Sequence, residues 1–70
     1  MTYDIDMSWD GEAGVWYAVC DSIPLALESN SFDALIERVK IAAYEILELN
    51  GKKGEGTRLR FKSTRLESIA

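Results

Sequence analysis

The chain has 70 residues, 47% of them hydrophobic and 29% charged, which suits one small globular domain and is too apolar for a disordered chain. Its net charge of −4 disfavours direct binding to nucleic acid, because phosphate contacts need a basic surface. No apolar run approaches the roughly 20 residues that span a bilayer, and the first residues lack the features of an export signal. The single cysteine cannot form an internal disulfide, which suits the reducing cytoplasm. We therefore expect one cytoplasmic domain over residues 1–70 that contacts neither membrane nor nucleic acid.

Strict alternation of polar and apolar residues predicts a half-buried first strand over residues 2–9. Its apolar face carries Tyr3, Ile5, Met7 and Trp9, and its polar face carries Thr2, Asp4, Asp6 and Ser8. Residues 10–14 include two glycines, which suit a turn because glycine accepts positive φ. The first strand is therefore expected to lead into a hairpin.

Residues 15–20 predict a second strand that is apolar on both faces. A change of one residue in its register would exchange these two faces. Two alternatives therefore stay open at this point: the helix-facing residues are either Trp16, Ala18 and Cys20 or Val15, Tyr17 and Val19.

Pro24 interrupts the strand pattern, because proline has no backbone N–H to donate, and residues 25–28 predict a short third strand. A helix follows, with Ser31 as a suitable N-cap and Asn50–Gly51 as its end. Its apolar face consists of Leu35, Ile36, Val39, Ala42, Ala43, Ile46 and Leu47. Residues 58–62 alternate again and predict a fourth strand, after a charged loop.

The position of the helix, between the third and fourth strands, predicts a crossover that lays the fourth strand parallel to the first. The polar face of the first strand is acidic and that of the fourth is basic. Opposite charges on adjacent strands stabilise their pairing by roughly 0.2–1 kcal/mol for each directly opposed pair. We therefore predict an α+β fold of β-β-β-α-β order. It has a four-stranded sheet in the order 3-2-1-4, with one helix packed on one face.

The sequence contains no histidine, which removes the commonest general base and the commonest zinc ligand. Cys20 lies in an apolar strand and is expected to pack as a small hydrophobic residue. Asp4, Asp6 and Glu37 resemble part of a two-metal nuclease site, but the fourth strand supplies no further carboxylate. We therefore expect no catalytic residues, no metal, no cofactor and no enzymatic activity.

Five stretches carry a family resemblance. They are residues 10–18, 21–24, 31–39, 45–51 and 59–61. Together they resemble the HicB-like domain of bacterial toxin–antitoxin systems, and in particular a stand-alone branch of unknown function. The resemblance covers nearly the whole chain. It implies a partial ribonuclease-H-like fold without the nuclease site, and a role in covering a small basic RNA-cleaving toxin. It also places Trp16 and Ala18 on the helix-facing side of the second strand.

One helix can cover only one face of the predicted sheet, so we expect a homodimer or a higher oligomer. The expected partner surface combines apolar Tyr17 and Val19 with acidic Asp4 and Asp6 on the open face. It also includes the edge strand, which has unpaired backbone groups. That strand contributes Leu25 and Leu27. An apolar centre with an acidic rim suits a small basic protein. The alternative is a homo-oligomeric structural protein with no toxin connection, and a degenerate nuclease is a third hypothesis.

Overall fold

A computed structural model describes the whole chain, residues 1–70. In chain order, the elements are β1 (Thr2–Asp10), β2 (Val15–Cys20), β3 (Leu25–Ser29), α1 (Phe32–Leu49) and β4 (Arg58–Thr64). Every predicted element is present, and three of the strands extend one or two residues beyond the predicted bounds. The helix α1 lacks the length and apolar character that crossing a membrane requires.

The strands form one sheet in the order β3-β2-β1-β4. Strand β2 pairs antiparallel with both β1 and β3, whereas β4 pairs parallel with β1. The parallel pair follows from the helix, which carries the chain back across the sheet before β4 begins. The predicted fold class and strand order are confirmed.

The register of β2 is settled by the turn that precedes it. The Asp10 carboxylate accepts the backbone N–H groups of Glu12 and Ala13 at 3.0 and 3.2 Å, and Gly14 takes a φ of +68°. This four-residue turn pairs Asp10 with Val15 and Met7 with Ala18. The helix-facing residues of β2 are therefore Trp16, Ala18 and Cys20, the alternative that the family resemblance favoured.

The core lies between the sheet and α1. It consists of Tyr3, Ile5, Met7, Ala18, Cys20, Ile23, Leu25, Leu35, Val39, Ala43 and Leu47. Ile5, Leu35 and Val39 are fully buried, and Cys20 packs among these residues as expected. Because successive side chains of a strand point to opposite faces of the sheet, the residues between those that face α1 lie on the opposite face.

Both ends of α1 are capped as the sequence predicts. The Ser31 hydroxyl accepts the backbone N–H of Ala34 at 3.2 Å, which satisfies one free donor of the first turn. At the other end, Gly51 has a φ of +71°, and the Lys52 N–H reaches the carbonyl of Leu47 at 2.9 Å. This pattern is a Schellman motif, which needs a left-handed residue and therefore favours glycine.

Replacing the helix cap is expected to weaken the fold measurably. Ser31→Ala removes the side-chain acceptor for the Ala34 N–H at the N-terminus of α1, so the free energy of unfolding should fall by about 1 kcal/mol. Urea unfolding checks this as a lower midpoint with an unchanged slope. Ser22→Ala is the control, because Ser22 is exposed in a turn. Equal midpoints for the two variants would show that the cap contributes nothing.

Candidate protein-interaction face

The face of the sheet opposite α1, called here the open face, carries no other element of the chain. Strand register assigns it the following side chains: Asp4, Asp6, Ser8 and Asp10 from β1, Val15, Tyr17 and Val19 from β2, Ala26 and Glu28 from β3, and Arg58, Arg60 and Lys62 from β4. Side chains from all four strands therefore come together on this face.

The centre of the open face is apolar. Tyr17 and Val19 are 37% and 44% exposed, in contrast to their neighbour Ala18, which is fully buried on the other side. Strand pairing sets Val19 beside Ala26 and Tyr17 beside Glu28. These side chains, with part of Leu27, line a shallow depression of about 320 Å³. The predicted exposure of Tyr17 and Val19 is thus what the structure shows.

Carboxylates surround this apolar centre. The negative charge of Glu28 is the main cause that raises the pKa of the Tyr17 hydroxyl above its ordinary 10.0, followed by partial desolvation and the charge of Asp10. Tyr17 therefore remains a neutral hydrogen-bond donor under physiological conditions. Asp6 lies beside Val19 in the register and forms no salt bridge. An incoming group would meet an aromatic hydroxyl among unpaired negative charges.

The side chains of β4 on the open face are basic, and two of them form ion pairs with β1. Arg60 Nε lies 2.6 Å from Asp4 Oδ1, and Lys62 Nζ lies 3.4 Å from Asp4 Oδ2. The predicted opposition of charges between these strands is confirmed by their register. Asp4 is thus neutralised within the fold, and the carboxylates free to attract a basic partner include Asp6 and Glu28 instead.

The ion pair of Asp4 should make stability depend on pH. The hydrogen bond from Arg60 is the main cause that lowers the pKa of Asp4 below its ordinary 3.8. The ion pair therefore contributes its full stabilisation above pH 3.8, the ordinary pKa of aspartate. This stabilisation is lost as the pH falls through the lower pKa that Asp4 has in the folded state. Asp4→Asn should flatten the fall in urea midpoint below about pH 4, whereas Asp21→Asn, which removes an exposed unpaired carboxylate, should not.

The contrast between these two variants is decisive for the ion pair. Both charges are largely exposed, so added salt should also reduce the effect of Asp4. An acid profile of Asp4→Asn identical to that of the natural chain would contradict the predicted linkage.

Strand β3 lies at an edge of the sheet as predicted, but its two leucines point away from the open face. Leu25 is buried in the core, and Leu27 is half-buried against it. A partner at this edge would meet the backbone of both residues and the half-exposed Leu27, which also lines the depression. The edge is also partly occupied, because the Arg38 guanidinium donates to the Glu28 carbonyl at 2.8 Å.

The open face includes residues that sequence reasoning did not single out, namely Asp10, Ala26 and Glu28. Antiparallel alignment of the second and third strands around the Pro24 turn places Glu28 opposite Tyr17. Such an alignment could have identified Glu28 as part of the open face.

The carboxylates that resemble part of a nuclease site do not converge. Asp4 and Asp6 lie on the open face, whereas Glu37 lies on the exposed side of α1, beside Lys40 at 3.4 Å. The sheet separates the two positions. No group of three or more histidine, cysteine, aspartate or glutamate side chains is arranged to hold a metal ion.

Comparison with known proteins supplies a family but no activity. The chain is similar to a hypothetical protein of the extremely thermophilic bacterium Thermus thermophilus, whose crystal structure is 37% identical with a TM-score of 0.81. That match covers 99% of this chain and 100% of the other. No curated protein matches the chain. The model of a domain of unknown function, DUF1902, matches residues 2–69, and the chain therefore belongs to the DUF1902 family.

Proposed function

We propose that this protein is a non-catalytic interaction module of the cytoplasm that acts as HicB-like antitoxins do, by covering a small basic RNA-cleaving protein. The observation that carries the proposal is the open face, where an exposed aromatic residue, Tyr17, stands in an apolar depression with an acidic rim. The resemblance to HicB-like domains adds the class of partner. The fold itself is compatible with that resemblance, since it has one helix-covered and one uncovered sheet face.

Two features of the open face suit a basic partner in different ways. The unpaired carboxylates, with the net charge of −4, would mainly accelerate encounter. Tyr17 and Val19 would then be buried and would hold the complex, since aromatic residues at the centre of an interface contribute most of its affinity. Occlusion of the toxin's basic RNA-binding surface by this face needs no chemistry from the chain.

The absence of catalysis is part of the proposal and has its own test. A nuclease of this fold would place a metal-binding carboxylate on β1. Of the two candidates there, Asp4 is paired with Arg60 and Lys62, and Asp6 forms no salt bridge. The purified protein is therefore expected to leave RNA and DNA intact with added Mg²⁺ or Mn²⁺. Cleavage that Asp6→Asn abolishes would overturn this part.

The role itself is tested with the product of a neighbouring reading frame that encodes a small basic protein. The natural chain should suppress RNA cleavage by that protein, and Tyr17→Glu should lose the suppression, with binding weakened about 30-fold or more. Ile41→Glu is the matched control, because it places the same charge at an exposed apolar position of α1. Suppression that survives Tyr17→Glu but fails in Ile41→Glu would place the toxin on the helix and refute the proposed face.

A second candidate function is supported by the charge pattern of the open face. Its acidic residues lie on β1 and β3, and its basic residues lie on β4. Two copies that meet face to face around an axis parallel to the strands would set each basic β4 above the other copy's acidic β3. The protein would then be a homo-oligomer assembled through this face. Tyr17→Glu would in that case reduce the mass that light scattering records for the protein alone.

A further inference from the structure

A second surface, independent of the proposed function, lies between α1 and β4. The helix packs over β2 and β3 rather than centrally, as the contact of Arg38 with β3 illustrates. Leu59 and Phe61 of β4 are consequently only half-buried, although they point to the helix side of the sheet. A cleft of about 310 Å³ remains there, lined by Lys40, Ala43, Tyr44, Leu47, Gly54, Thr57, Leu59 and Phe61.

The chain also has a segment whose apolar side chains are almost fully exposed. Residues 65–70, called here the tail, follow β4 without regular structure. Leu66 and Ile69 are 92% and 103% exposed, more than any other large hydrophobic residue of the chain. The family model extends to residue 69, so these two residues belong to the domain that the family shares. Two fully exposed aliphatic residues near each other favour burial against another surface.

The tail's first apolar residue cannot reach the centre of the cleft of its own chain. The guanidinium of Arg65 stacks at 4.2 Å on the ring of Trp9, which fixes the start of the tail near the end of β1. In the β1–β4 register, Thr64 pairs with Ser8 and Leu59 with Tyr3. These positions are five residues apart along β4, or roughly 17 Å at about 3.3 Å per residue. Leu66 follows Arg65 directly and therefore stays distant from Leu59.

We propose that the cleft between α1 and β4 binds the tail of a second copy, so that two copies exchange tails in a two-fold dimer. The lining of the cleft is mainly apolar and matches Leu66 and Ile69. At its rim lies the exposed Lys40 ammonium, 3.4 Å from Glu37 of its own chain. It offers a second partner for the carboxylate of the other copy's Glu67, which pairs with Arg65 of its own chain at 2.7 Å. In a two-fold arrangement each contact occurs twice, which doubles the stabilisation from one short segment. The open face stays free for another protein.

The test is the mass of the protein in solution, by light scattering or sedimentation. The natural chain should be a dimer, and the double variant Leu66→Glu, Ile69→Glu should be a monomer with an unchanged circular dichroism spectrum, because these side chains are almost fully exposed within one chain. The control Ile41→Glu, Leu49→Glu introduces the same charges at exposed positions of α1 and should remain a dimer.

Charge exchange provides a second, independent measurement. Lys40→Glu and Glu67→Lys should each weaken the dimer, by roughly two- to thirtyfold in Kd for an exposed pair that occurs twice. The two changes combined should restore it. A natural chain that stays monomeric at about 100 μM overturns the proposal. The proposal is also overturned if the tail variant remains a dimer and Tyr17→Glu is a monomer, because that result assigns dimerisation to the open face. A tail variant that keeps the mass of the natural chain but unfolds at a lower temperature would instead assign the tail to its own chain.

Discussion

Leu35→Ala is expected to lower the free energy of unfolding by about 2–5 kcal/mol, the range measured when a fully buried leucine is truncated. Leu35 lies in the middle of the core with none of its surface exposed. A domain of this size has a total stability of roughly 4–10 kcal/mol, at about 0.05–0.15 kcal/mol per residue. Much of the variant should therefore be unfolded at moderate urea concentrations, and the weakest outcome is still a large shift in midpoint.

The same helix offers a matched control. Leu49 is 86% exposed, so Leu49→Ala removes the same atoms without creating a cavity. Its urea midpoint should stay within about 0.5 kcal/mol of that of the natural chain. If Leu49→Ala lowers the free energy of unfolding as much as Leu35→Ala does, a different side of the helix faces the sheet from the one described.

The second large effect concerns the register of β2. Trp16 packs edge-on against Phe32 with ring centroids 4.8 Å apart, and against Trp9 at 5.4 Å. Trp16→Ala should therefore cost about 3 kcal/mol, at the low end for an aromatic residue because the side chain is only partly buried. Tyr17→Ala, on the opposite face, should cost about 1 kcal/mol or less.

These two neighbouring truncations form a direct comparison by urea unfolding. A slip of one residue would exchange their environments and therefore their costs. A larger loss of stability in Tyr17→Ala than in Trp16→Ala would contradict the described register, and with it the assignment of Tyr17 to the open face.

Much of the architecture could be predicted because single strong signals specified it. The alternation in β1 identifies its buried face, and Ser31 and Gly51 mark the ends of α1. The register of β2 could not be derived from residues 15–20 alone, since that strand is apolar on both faces. It depends on the length of the preceding turn, which the local hydrogen bonds from Glu12 and Ala13 to the Asp10 carboxylate fix at four residues.

The candidate surfaces were predictable to different degrees. The existence of an open face follows from the single helix and the strand order, and the family resemblance supplied the choice of Tyr17 and Val19 over Trp16 and Ala18. The cleft beside β4 could not, because it results from the sideways position of α1 over β2 and β3. The stacking of Arg65 on Trp9 joins residues far apart in the chain, and no local pattern indicates it.

The central claim is that the open face binds a small basic protein, and methyl NMR tests it most directly. The unlabelled basic protein from the neighbouring reading frame would be titrated into the labelled chain. The methyl signals of Val19 and Ala26 should shift or broaden as the complex forms, because both lie in the depression beside Tyr17. Those of Ile41, exposed on α1, should remain unchanged. Perturbation of Ile41 with Val19 and Ala26 unaffected would contradict the claim.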